Sequence, residues 1–217
     1  NPTWVDPDDT SIQIGSGPDN PIGYRWIGFY GNYGIHGTNH PESIGGYVSN
    51  GCVRMKEADV EDLYQYVSVG TPVTVYYDRL VIDVDPDHTV SYYIYPDGYG
   101  WQSLSIAQVK KALAGYGVED FADFQEISDK INASDGNVTY IAKAYDLVVN
   151  GHKLAKRALG KNGQIYLPSV AVATALKLDL QWNSQQGILT SPYGIAPGYV
   201  KSDVVYMNAV DAYSLFH

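Results

Sequence analysis

The chain has one cysteine, Cys52, among 217 residues. A single thiol closes no internal disulfide, and a soft-ligand metal site needs further thiolates or imidazoles clustered beside it. Cys52 is therefore an inert buried side chain, one half of an intermolecular disulfide, or a nucleophile. Cations are scarce as well: fourteen Lys and Arg against twenty-four Asp and Glu leave a net charge of −10. That balance argues against general affinity for nucleic acid or anionic membranes. No stretch approaches the roughly 20 apolar residues of a membrane span. No signal peptide is visible, so an exported protein would carry its targeting segment outside these residues.

Glycine (22), tyrosine (20) and proline (11) are plentiful. Short apolar runs broken by Gly, Pro and Asn read as β-structure with long loops and turns, with aromatic surface suited to sugars and peptides. The length allows one or two domains.

The setting of Cys52 favours the nucleophile. It lies in Ser49-Asn50-Gly51-Cys52-Val53-Arg54-Met55, sixteen residues after His36 in Gly34-Ile35-His36-Gly37-Thr38-Asn39. A cysteine attacks as the thiolate, which a nearby base generates, and imidazole titrates near neutral pH. Gly51 lets the backbone turn sharply and a substrate come close, so the amides of Gly51 and Cys52 are candidate oxyanion donors. Ser49 is placed to hold the histidine or the substrate. Arg54 offers a permanent cation for a substrate carboxylate or for pinning the loop. The constellation reads as a cysteine acyl-transfer site. The orienting partner of His36 is expected to be a backbone carbonyl or Asn39.

These residues carry a resemblance. Tyr33-Gly34-Ile35-His36-Gly37-Thr38-Asn39, Ser43-Ile44-Gly45 and Ser49-x-Gly51-Cys52-Val53-Arg54-Met55 resemble the signature of the L,D-transpeptidase (YkuD-type) catalytic domain. Asn1-Pro2-Thr3-Trp4, Asn20-Pro21-Ile22-Gly23 and Val69-Gly70-Thr71-Pro72-Val73 extend it over residues 1 to 77. The resemblance implies a secreted bacterial cell-envelope enzyme that cross-links peptidoglycan stem peptides. Cys52 would form an acyl-enzyme with release of D-alanine, His36 would act as base and then acid, and carbapenems would acylate the thiol. Ser49, Asn50 and Gly51 would serve the oxyanion, and Gly37, Thr38, Asn39 and Arg54 the substrate. No cofactor or metal is implied. Hydrolysis of the same acyl-enzyme would make an L,D-carboxypeptidase, and loss of chemistry a wall-binding module.

Two departures stand out. Asn50 occupies the position before Gly51 where the family usually has histidine, so no proton is exchanged there. The family domain also has further strands ahead of the Asn-Pro-Thr-Trp segment; without them sheet edges and part of the core would be exposed.

Three segments are expected. Residues 1–77 form a mainly β domain of the YkuD-type β-sandwich. It has a strand over Arg25-Trp26-Ile27-Gly28-Phe29-Tyr30, a short helix with Val60, Leu63 and Tyr64 inward, and a closing strand over residues 71–77. Residues 78–145 form an α+β extension: a hairpin about Pro86-Asp87-His88, a helix capped by Ser105, and a second helix over 119–132. Residues 146–217 contain an internal echo, Ile165 to Leu176 against Val205 to Leu215, each a strand entering a helix. With Val149-Asn150-Gly151-His152 and Leu180-Gln181-Trp182-Asn183, this segment resembles the copper amine oxidase N-terminal-like stalk module, truncated at its end. His152 and His217 are too few for copper.

Other clusters read as surface. His40, His88 and His152 sit in turn-like settings. Asp6, Asp8 and Asp9 lack the rest of a calcium loop, and Gly15-Ser16-Gly17 lacks a strand–helix context for phosphate. Tyr92, Tyr93, Tyr95, Tyr99 and Trp101 divide between strand packing and a surface able to stack on sugars.

Overall fold

A computed structural model describes all residues, 1–217. The chain divides into two units, Asn1–Tyr77 and Asp78–His217.

The first unit is built from short strands. β1 (Trp4–Val5) pairs with β2 (Gln13–Ile14) in an antiparallel ladder. β3 (Trp26–Tyr30) and β4 (Tyr33–His36) form a hairpin, and β5 (Val53–Arg54) joins β4 in parallel. Helix α1 (Glu57–Tyr66) follows, with Glu57 and Asp59 in the first turn, where acids suit the helix dipole. Its inward stripe is narrower than expected: Val60 is fully buried, but Tyr64 is 45% exposed, its ring under the Arg25 guanidinium.

The unit is mainly β, as expected, with two small sheets. One expectation fails: residues 71–77 join no sheet. No ladder forms between 71–77 and another strand, and Val75 and Tyr76 stay more than 70% exposed. Val60 is the only apolar side chain fully withdrawn from solvent in this unit; Asn20, His36 and Thr38 are buried as well.

The second unit is organised by one antiparallel sheet. β6 (Leu80–Val84) and β7 (Thr89–Ile94) make the expected hairpin, with His88 in the left-handed region at the turn. Helix α2 (Ile106–Ala114) begins at a capping box in which Ser105 and Gln108 satisfy each other's backbone. Helix α3 (Phe124–Ala133) starts later than the expected 119, because Asp123 caps it and Glu119–Phe121 forms a separate 3-10 turn. β8 (Thr139–Tyr145) follows, then the small ladder of β9 (Val148–Val149) and β10 (His152–Lys153). β11 (Ala158–Lys161) and β12 (Gln164–Pro168) lead into α4 (Ser169–Leu176). β13 (Gln181–Asn183), β14 (Ile188–Thr190) and β15 (Ile195–Pro197) form a separate three-stranded sheet. β16 (Tyr199–Lys201), β17 (Val204–Asn208) and α5 (Ala212–Phe216) end the chain.

The main sheet runs β16-β17-β12-β11-β8-β7-β6. The expected boundary at 145/146 falls inside it, at the end of β8, so the segments 78–145 and 146–217 share one sheet. Alternation along β17 explains why. Tyr206 enters the core formed by α2, α3, β7 and β8, while Met207 enters the core formed by α4, α5, β14 and β15. The echoed strands β12 and β17 are direct neighbours, with Leu167 opposite Met207. The tyrosine cluster divides as well: Tyr92 is buried, whereas Tyr99 and Trp101 stack at 4.7 Å and stay exposed. No helix is long and apolar enough to cross a membrane.

Candidate active site

The site is a consequence of strand parity in the first unit. On β4, Gly34 and His36 project to one face, Tyr33 and Ile35 to the other. His36 pairs with Trp26 on β3 and with Arg54 on β5, and Ile35 pairs with Val53. Continuing that parallel register sets Cys52 beside Gly34, on the face that carries His36. The His36 carbonyl accepts the Met55 amide at 2.9 Å, which clamps the strand after Cys52 onto the histidine's. His36, Cys52, Asn50, Trp26 and Asn32 line one cavity of about 1060 Å³, completed by residues 1–5, Pro7, Ile22 and Gly31.

His36 is 3% exposed. Its Nδ1 lies 2.5 Å from the Gly37 carbonyl oxygen, which accepts a hydrogen and so fixes the proton on Nδ1. Nε2 is then the basic nitrogen. The ring stacks on Trp26 at 5.4 Å. Burial pulls the imidazole below its usual value, the Gly37 bond works against that, the Arg54 cation adds to it, and the Glu57 charge opposes it. Of the two orienting partners expected, the backbone carbonyl is the one present; Asn39 donates to the Asp19 carbonyl at 3.2 Å instead.

Cys52 is half-buried, its thiol 3.8 Å from the Asn32 carbonyl oxygen. Gly51 lies at φ +134°, and a Cβ there would come 2.5 Å from the Tyr33 ring on the opposite face. Ser49 ties the turn: its hydroxyl donates to the Cys52 carbonyl at 2.6 Å and accepts the Gly51 amide at 3.3 Å. The Gly51 proton is thus engaged, contrary to its expected role as an oxyanion donor.

Four residues expected to bind substrate lie outside the cavity wall. Arg54 donates to Ser43 Oγ at 2.8 Å and reaches the Val48 carbonyl, pinning the 43–48 loop. Thr38 is buried, its Oγ1 accepting the His40 amide, while Gly37 and Asn39 are spent on His36 and Asp19. His40 stands at the rim, paired with Glu42.

Sequence reading did not assign Trp26 and Asn32 to the site, and it read Asn1-Pro2-Thr3-Trp4 only as part of the resemblance, although all line the cavity. Trp26 had a signal. Gly28 and Gly34 are cross-strand partners, and their missing Cβ atoms give the indole its bed; a Cβ on Gly34 would sit 2.6 Å from that ring.

A Bacillus subtilis (strain 168) protein named as an L,D-transpeptidase, YqjB, is 52% identical over 67 residues, covering 28% of this chain and 38% of that protein. The Salmonella typhimurium protein ErfK/SrfK, also named as an L,D-transpeptidase, is 38% identical over 88 residues, 41% of this chain and 25% of its own. YkuD of Bacillus subtilis, named likewise, is 49% identical over 59 residues, 27% of this chain and 36% of its own. The chain thus spans well under half the length of these curated relatives. The stretch that brings His36 and Cys52 to one face, residues 1–75, matches the family profile of the YkuD L,D-transpeptidase catalytic domain.

Proposed function

We propose that this protein is a peptidoglycan L,D-transpeptidase acting through a cysteinyl acyl-enzyme. One observation carries the reading: a histidine held as the Nδ1–H tautomer, with Nε2 left basic, shares a cavity with the only thiol of the chain. Cys52 gives its proton to His36 Nε2, and the thiolate attacks the stem-peptide carbonyl. The imidazolium returns the proton to the departing amide nitrogen, which leaves as D-alanine, and a thioester remains. The side-chain amine of a second stem attacks that thioester, His36 takes its proton, and the Cys52 thiol is released on product departure. With the Gly51 amide engaged by Ser49, the oxyanion draws on the Cys52 amide. Asn50, at the cavity wall, is placed to hydrogen-bond substrate. The Trp4 and Trp26 rings form the apolar side of the cleft.

The working place is the bacterial cell envelope, where these stems are found. Residues 146–217, which resemble the stalk module, are an accessory without copper chemistry. Intact mass after carbapenem exposure tests the site: a single adduct is expected, absent in Cys52→Ala. Stem-peptide turnover then identifies the product as a cross-link. Free tripeptide alone would make the protein a carboxypeptidase, and no adduct on a folded chain would remove the catalytic reading.

A further inference from the structure

Glu57, the first residue of α1, holds its carboxylate in a cradle made by three separate segments. The Tyr24 amide donates to Glu57 Oε2 at 3.1 Å. Gly23 and Gly37 present their Cα hydrogens to the same carboxylate, and a Cβ on either would fall on it. Gly23 reaches this position only in the left-handed region, at φ +68°. An acid that merely complements the helix dipole needs no such enclosure; Asp59, in the same turn, is exposed and has none. The enclosure also has a direction. Gly37, which closes one side, carries the carbonyl that takes the His36 Nδ1 proton.

We propose that Glu57 is the positioning residue of the base: it fixes Gly37 so that its carbonyl faces His36, and its charge stabilises the imidazolium formed when Cys52 yields its proton. The proposal rests on the Cys52–His36 reading above. In that step one proton passes from Cys52 Sγ to His36 Nε2, leaving thiolate and imidazolium, and nothing else is transferred. The charged or titratable groups that bear on His36 are Arg54 from β5, Cys52 from the preceding turn and Glu57 from α1; Trp26 from β3 is neutral. Arg54, its cross-strand neighbour, opposes a second cation, and Glu57 offsets that opposition. Glu57 therefore does through a glycine carbonyl what a directly bonded acid does in other nucleophile–histidine pairs.

The test uses the whole chain with Glu57→Gln and Glu57→Asp. Glutamine keeps the shape and the Tyr24 bond but drops the charge; aspartate keeps the charge but withdraws it by one methylene. His36 is titrated by NMR, and Cys52, the sole thiol, is alkylated with iodoacetamide across pH. In Glu57→Gln the His36 midpoint falls and alkylation at neutral pH slows roughly three- to tenfold, as expected for loss of one nearby charge. Stem-peptide kcat falls with it while KM holds, and Glu57→Asp lies between. A folded Glu57→Gln chain with the parent's His36 midpoint and alkylation rate overturns the proposal, because a purely structural carboxylate is replaced by the amide at no chemical cost. If Glu57→Gln does not fold, an unshifted His36 in Glu57→Asp overturns it equally. Failure of the transpeptidase reading looks different: the thiol would still depend on Glu57, yet the parent chain would take no carbapenem and release no D-alanine.

Discussion

At the scale of single residues, the site is set by what surrounds His36. Burial pulls the His36 imidazole below its ordinary value of 6.5. The unfolded chain protonates near 6.5, so protons favour unfolding: the stabilisation is complete above that pH and is lost as pH falls toward the folded value. Denaturant midpoints for the first unit should drop between pH 7.5 and 5, with a flatter profile in His36→Gln. Equal profiles would mean that the histidine is solvated. Trp26 supplies the apolar wall of that burial. Trp26→Ala should return the His36 midpoint toward 6.5, read by the same titration, and slow the proposed acyl transfer about tenfold by letting water reach the base.

At the scale of elements, the turn before β5 is the sensitive part. Gly51 combines φ +134° with a ring only 2.5 Å from where a Cβ would sit, so an L side chain both strains the backbone and displaces Tyr33. Strain of this kind costs about 1–3 kcal/mol, and here it falls on the residue before Cys52. Gly51→Ala should reduce Cys52 acylation by at least tenfold at unchanged far-UV dichroism; a parental rate would show that the turn tolerates a side chain. The strand–helix echo shows how far an element can be read from sequence. Patterning over Ile165 to Leu176 and Val205 to Leu215 located both units, because short apolar strands that enter helices carry both periods. Their adjacency in the sheet came from β-ladder pairing, which no local pattern specifies.

At the scale of the whole molecule, apolar burial is unequal. Nearly all of the buried apolar side chains lie in the second unit, and in the first only Val60 is fully withdrawn from water. Local stability follows buried apolar contact. Hydrogen exchange should therefore show amides of β3, β4 and α1 exchanging orders of magnitude faster than those of β7, β8 and β11. Comparable protection in both units would refute this ordering.

The proposed chemistry is already legible in the residues: one thiol, a histidine sixteen residues earlier, and glycine-framed turns around each. These were legible because nucleophile, base and turn residues are specified by local covalent character and backbone freedom. The hairpin at residues 85–88 and the Ser105 cap were legible for the same reason. Strand parity and register were decided only in three dimensions. Register put Cys52 beside Gly34, left residues 71–77 outside any sheet and carried one sheet across the 145/146 boundary. Glu57 was visible in sequence only as a first-turn acid. Its place against Gly23 and Gly37 depends on three segments meeting, and such a meeting is fixed by packing, which no local pattern encodes.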